Sequence, residues 1–258
     1  MPRKKEGSTG MSKKKRTGNV NSGNFVYIPV AVLLALFVGV FGVSVFFKVT
    51  SIEVIGAVKY SAEQVIAVTG VHIGDNLVFI DRAEAAKRIR TELPYVRDVR
   101  IERAYPDTVR LILTESEPMA CVMSNGVWWS MDFYGRLLGE EQMKPQGLIE
   151  VRGITPEEPV AGEKIKVGDS ATTRLAYMIE VLTAFEDTKL KESVSMLDVS
   201  NIGSITFGYA ERFKVNLGNT DDLHYKLQQM QEVIKGLKPS EEGSIDLSTS
   251  GRRSFIPS

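Results

Sequence analysis

The chain has 258 residues, 43% of them hydrophobic, and its 32 basic side chains balance 32 acidic ones. The balance hides a division: seven basic residues and one acid precede residue 25, whereas residues 48–258 carry 25 basic and 31 acidic side chains, a net of −6. Negative charge on the folded part excludes a nucleic-acid binder of the usual basic kind, and the single cysteine, Cys121, excludes an intrachain disulfide.

Arg3, Lys4, Lys5, Lys13, Lys14, Lys15, Arg16 and the acid Glu6 all lie in residues 1–24. This tail has no apolar periodicity and is expected to be disordered. Phe25 to Phe47 then runs without a charge. As a helix it would reach about 34 Å, against the ~30 Å hydrocarbon layer of a bilayer. The sequence therefore predicts a transmembrane helix at 25–47, with the positive excess before it holding the N-terminus in the cytoplasm. A cleaved signal peptide has a shorter apolar core, roughly 7 to 15 residues, ahead of a small-x-small site. Here the run closes on Val45-Phe46-Phe47-Lys48, and no cysteine follows it to take a lipid. Within it Ala31, Ala35 and Gly39 stand four apart, a small-residue stripe on which a second helix can pack closely. The remaining residues, too many for one small core, point to two domains.

Val49 to Gly56 alternates, with Ile52 and Val54 on one face, and reads as a strand. Ser61 and Gln64 have capping-box spacing ahead of Val65, Ile66 and Val68. Asp81 and Glu84 repeat that spacing, and Ala85, Ile89 and Leu93 fall on one helical face before Pro94. Two strands follow, Val96 to Arg103 and Thr108 to Glu115, joined by Tyr105-Pro106-Asp107, which has hairpin chemistry. The order strand, helix, helix, strand, strand suits a three-stranded sheet covered on one face by two helices.

The second half yields strand candidates at Ala120 to Met123, Val127 to Asp132, Leu148 to Arg152, Val194 to Val199, Ser204 to Phe207, Phe213 to Leu217 and Ser244 to Leu247. Two helices lie among them. Ala171 to Glu186 carries Leu175, Met178, Ile179 and Leu182 as a stripe; the other carries Leu223, Leu227, Met230, Ile234 and Leu237 and ends at Pro239. The fold class is α+β: a transmembrane helix, a β-α-α-β-β domain over 48–117, and over 118–248 a β-rich domain with an extended mixed sheet and flanking helices. Residues 249–258 read as a short flexible tail. Ser244, Ile245, Asp246, Leu247 and Ser248 alternate as the last predicted strand, so they are the candidate open edge to which a partner can add a strand.

Three blocks carry a family resemblance. They are Phe47-x-Val49-x-x-Ile52-x-Val54-x-Gly56; Leu93-Pro94-x-Val96-x-x-Val99-x-Ile101-x-Arg103-x-Tyr105-Pro106-x-Thr108-Val109; and Glu115-x-x-Pro118-Met119-Ala120. Together they resemble the POTRA domain of the FtsQ/DivIB bacterial cell-division proteins. Trp128-Trp129-Ser130-Met131-Asp132-x-x-Gly135-Arg136-Leu137 is similar to the block that opens that family's β-domain. The resemblance implies a non-catalytic division scaffold at the septum. It also implies contacts with bitopic coiled-coil partners of the FtsB/DivIC and FtsL type and with the septal peptidoglycan synthase complex. It assigns the coiled-coil contact to Ser244–Ser248, with Arg252, Arg253 and Phe255 as a rim. Neither a cofactor, a nucleic acid nor a small-molecule substrate is implied.

An enzyme would need other residues. His72 and His224 lie far apart in sequence with no partner at metal-ligand spacing. A sortase-type wall enzyme would have to use Cys121 as nucleophile, yet Pro118-Met-Ala-Cys-Val-Met123 reads as an apolar strand. The one Ser-x-x-Lys match, Ser12 to Lys15, lies in the basic tail without a Lys-Thr-Gly partner. A POTRA-type polypeptide chaperone is the third reading, and it would favour tandem modules or an attached barrel.

Overall fold

The computed structural model describes residues 24–249 and 254–257. The basic cluster of the tail and the rim residues Arg252 and Arg253 lie outside the described residues. The chain divides into two units, residues 1–47 and 48–258.

In the first unit, α1 (Asn24–Phe46) is a 23-residue helix containing Pro29 near its start. Ala31, Ala35 and Gly39 are exposed on it, and Phe37 stacks on Phe41. It stops one residue before Phe47, where the sequence expectation ended the span. Among the residues whose side chains are described, no helix is long and apolar enough by itself to cross a membrane. The side chains of Asn24, Phe25, Val26 and Ser44 lie outside that description.

The second unit opens with β1 (Ser51–Ile55), α2 (Ala62–Thr69), α3 (Arg82–Glu92), β2 (Val96–Ala104) and β3 (Thr108–Glu115). The sheet order is β1-β3-β2, with β1 parallel and β2 antiparallel to the central β3. The caps form as their chemistry dictates. Ser61 Oγ accepts from Gln64 N–H while Gln64 Oε1 accepts from Ser61 N–H, and Asp81 accepts from the Ala83 and Glu84 amides. Val65, Ala85 and Ile89 of the helices are buried, as are Val99, Ile101, Leu111 and Leu113 of the sheet. This is the expected helix-covered three-stranded layer.

A nine-stranded mixed sheet follows. Its strands are β4 (Ala120–Ser124), β5 (Val127–Met131), β6 (Leu137–Glu141), β7 (Ile149–Arg152), β8 (Val194–Asp198), β9 (Ile205–Tyr209), β10 (Phe213–Gly218), β11 (Gly243–Asp246) and β12 (Ser254–Pro257). The spatial order is β12-β11-β10-β9-β8-β7-β4-β5-β6. Helices α4 (Thr172–Asp187) and α5 (Leu223–Lys235) bury Met178, Leu182, Phe185, Leu227 and Met230 in one core with Val122, Leu197, Phe207, Val215 and Ile245. Phe185 meets Phe207 edge-on at 4.9 Å between ring centroids. Two strands were not foreseen in the sequence, β6 and β12. The second overturns the expected flexible tail over 249–258, because Ser254–Pro257 is in the sheet.

Candidate partner-binding edge

The end of the nine-stranded sheet is built from the β10-α5-β11 crossover. Its strands run parallel, Phe213 opposite Gly243 and Val215 opposite Ile245. Arg212 secures the return of the chain: its guanidinium donates to the carbonyls of Lys238 and Glu241 and lies 4.7 Å from the Phe213 ring centroid. On the other side, Lys226, which the sequence reading passed over, is 4% exposed. Its Nζ donates to the Leu217 and Asn219 carbonyls and to Asn219 Oδ1. Burial lowers its pKa, and three acceptors hold the β10–α5 turn in compensation.

Ser244, Ile245 and Asp246 occupy β11, and Leu247 and Ser248 follow it. Ile245 and Leu247 point inward and are buried; Ser244 and Ser248 are exposed, as the alternation predicts. The expectation of an open edge here is nevertheless corrected. β12 pairs antiparallel with β11, setting Ser244 opposite Ile256 and Ile245 opposite Phe255, so the chain's own residues 254–257 fill that edge. Phe255 is half-buried and meets Phe213 edge-on, whereas Ile256 is 61% exposed. The backbones approach so closely that a Cβ on Gly243 would lie 2.2 Å from the Ile256 carbonyl oxygen. Among the described residues, the free edge of the sheet on this side belongs to β12. It is short and ends in Pro257, which has no N–H to offer a ladder.

A second feature joins the two sheets. The tight turn after β5 is organised by Asp132, 1% exposed. Its Oδ1 accepts from the Tyr134 and Arg136 amides, and its Oδ2 accepts from Ser116 Oγ at 2.7 Å. Gly135 takes φ +74° in that turn. Arg136, thus oriented, donates to the carbonyls of Pro94 and Val96 at 3.2 and 3.1 Å, just past α3. These are the residues of the Asp132-x-x-Gly135-Arg136 block.

Cys121 is fully buried in β4, not half-buried. Desolvation is the main cause that pushes its thiol from 9.0 up to about 11. The folded protein is therefore expected to leave Cys121 unalkylated near neutral pH and to react only when unfolded in urea; rapid alkylation of the native chain would contradict the burial. Ionisation is easier in the unfolded state, so this group's contribution to stability is complete below the ordinary value of 9.0 and falls as pH climbs toward about 11. His72 and His224 are exposed, each with one carboxylate nearby, Asp75 at 3.8 Å and Asp187 at 3.6 Å, partners the sequence reading did not assign. Among the described residues no group of three or more His, Cys, Asp or Glu side chains is placed to hold a metal.

With this geometry in place, comparison with known proteins gives a consistent picture. Residues 47–116 match the family model described as POTRA domain, FtsQ-type. The chain is 29% identical over 216 residues to the cell division protein FtsQ of Corynebacterium glutamicum, covering 81% of this chain and 90% of that protein. It is 22% identical over 213 residues to the cell division protein DivIB of Clostridium botulinum strain Hall, covering 81% and 82%. With the FtsQ of Streptomyces griseus it shares 29% identity over 110 residues, 43% of this chain and 52% of that protein.

Proposed function

We infer that the chain belongs to the FtsQ/DivIB cell-division proteins and serves as a non-catalytic scaffold that links septal peptidoglycan synthesis to its regulators. The observation that carries this is the reach of the similarity. At 81% of the chain it reaches well beyond the FtsQ-type POTRA match at 47–116.

Residues 25–47 span the cell membrane once, supported by the uncharged run and by the basic residues that precede it. Residues 48–117 and 118–248 then act outside the cytoplasm at the septum, as a POTRA domain and a β-domain. The contact with FtsB/DivIC-like and FtsL-like coiled-coil proteins is by strand addition. The strand added is assigned to β12, a reading supported by the filled edge of β11 and by exposed Ile256 beside it. A sortase-type role for Cys121 has no support in its setting, a buried strand with a raised thiol pKa. A chaperone role is no better supported, since one FtsQ-type module is matched.

Capture of the full chain from detergent-solubilised membranes is expected to bring down both coiled-coil partners, equally from wild type and from Cys121→Ala. Failure to recover either partner from wild type would overturn the scaffold reading; loss of septal function confined to Cys121→Ala would favour the enzyme.

A further inference from the structure

The segment between α2 and α3 is a well-braced loop that spends two large apolar side chains on the surface. Val71 and Leu77 anchor it in the core, at 7% and 0% exposure, yet Ile73 and Phe79 are 64% and 77% exposed. The backbone is tied down on every side. The Val49 amide donates to the Asp75 carbonyl and the Gly74 amide to the Val49 carbonyl, both at 2.8 Å. The His72 amide donates to Asp75 Oδ2, the Val78 amide to Asn76 Oδ1, and Arg103 Nη2 to the Ile80 carbonyl. Lys48 bridges to Asn76. Single apolar residues scattered over a surface need no explanation. Two on one rigid loop, held against the first residues after the apolar helix, do.

Covalent connectivity places this loop. Val49 follows the last residue of α1, Phe46, by three positions. An extended chain covers at most ~3.6 Å per residue, so Val49 lies within about 11 Å of the helix end whatever the orientation of the two units. The polar interfacial layer of a bilayer is roughly 5 to 7 Å deep on each side. The charges around the loop are mixed, Lys48, Arg82 and Arg103 with Asp75 and Asp81, so the attachment would rest on the two apolar side chains rather than on attraction to anionic lipid.

We propose that the loop over residues 72–80 seats Ile73 and Phe79 in the outer headgroup layer of the membrane, giving the first sheet a second, non-covalent attachment beside the span. The proposal rests on reading residues 25–47 as a membrane span. Its consequence is mechanical: a chain held at one point swivels, whereas one held at two presents its partner-binding edge at a restricted height and tilt.

The test uses the full chain in vesicles of phosphatidylcholine and phosphatidylglycerol, with an environment-sensitive fluorophore on one introduced cysteine at a time; buried Cys121 is shielded. A probe at Ile73→Cys, with Phe79 intact, is expected to be quenched by lipids bearing a quencher near the headgroup. A probe at Ile202→Cys, in the β8–β9 turn, is expected to escape quenching. Adding Phe79→Asp is expected to cut the quenching at position 73 by about half or more, through loss of an inserted aromatic side chain. A probe at Val45→Cys reads the span separately. Quenching at 45 with none at 73 overturns the loop attachment and leaves the span standing; no quenching at 45 removes the span and the proposal with it. Shielding at 73 that appears only when the coiled-coil partners are added also overturns the proposal, in favour of a protein contact.

Discussion

Asp132→Ala is expected to destabilise residues 48–258 by about 3 kcal/mol, because it strands three donors at once. The Tyr134 amide, the Arg136 amide and the Ser116 hydroxyl all donate to this buried carboxylate, the two amides from partly buried positions, and a buried donor left unpaired costs roughly 1 to 3 kcal/mol. The sum is held near the lower bound because the hydroxyl can rotate toward another acceptor. The loss propagates, since the same turn aims Arg136 at the Pro94 and Val96 carbonyls. Burial already disfavours that guanidinium and lowers its pKa, so a displaced Arg136 has no reason to stay at the joint between the sheets. Asp132→Asn supplies the control. Its carbonyl oxygen still accepts both amides and only the Ser116 contact must reorganise, so a loss of about 1 kcal/mol is expected. Urea unfolding of the full chain in detergent measures both, with Trp128 and Trp129 of the adjacent β5 as the fluorescent reporters. Equal midpoints for the two variants would show that the amide contacts do not hold the turn.

That joint also shows where sequence reasoning stops. Asp132, Gly135 and Arg136 stood out only through a resemblance. Their physical roles depend on partners up to 46 positions earlier for Arg136 and 16 for Asp132, which no local pattern encodes. Local chemistry was legible wherever the local residues settle the matter. The Ser61–Gln64 capping box closes on itself, and Leu223, Leu227 and Met230 make a stripe on α5 that any core would bury. β6 escaped notice because Leu-Leu-Gly-Glu-Glu has no alternation; it is a strand because β5 offers it a ladder, with a register shift at Met131. β12 escaped for the same reason, four residues ending in proline that are extended only by pairing with β11. A signal for it was present in Gly243. A glycine opening a strand marks close approach of another backbone, and the Ile256 carbonyl is what approaches. The open edge expected at Ser244–Ser248 is thus filled from within the chain, and the free edge among the described residues lies one strand further out.

Gly243→Ala puts the filled β11 edge to the test. The added methyl would sit 2.2 Å from the Ile256 carbonyl oxygen and 3.0 Å from the Phe255 ring, so the strands must part. β11 is held on its other side by β10 and by buried Ile245 and Leu247. Among the described residues, β12 is held by the β11 ladder and by Phe255, which meets Phe213 edge-on at the margin of the core. The strand that yields is β12, and the core should keep its stability within about 1 kcal/mol, since no buried side chain is removed. If the coiled-coil partner adds its strand to β12, the docking template goes with it, and affinity is expected to fall tenfold or more, which corresponds to about 1.4 kcal/mol. Titration of the full chain in detergent against the FtsB/DivIC-like partner reads this directly. Tighter binding would mean the opposite arrangement, in which β12 occupies the β11 edge in competition with the partner and its release exposes Ser244–Ser248 for the incoming strand. Unchanged affinity would remove this end of the sheet from the interface and turn attention to the outer edges of β1 and β2. The four residues of β12 therefore separate three mechanisms with one methyl group, because the sheet core does not depend on them and the edge does.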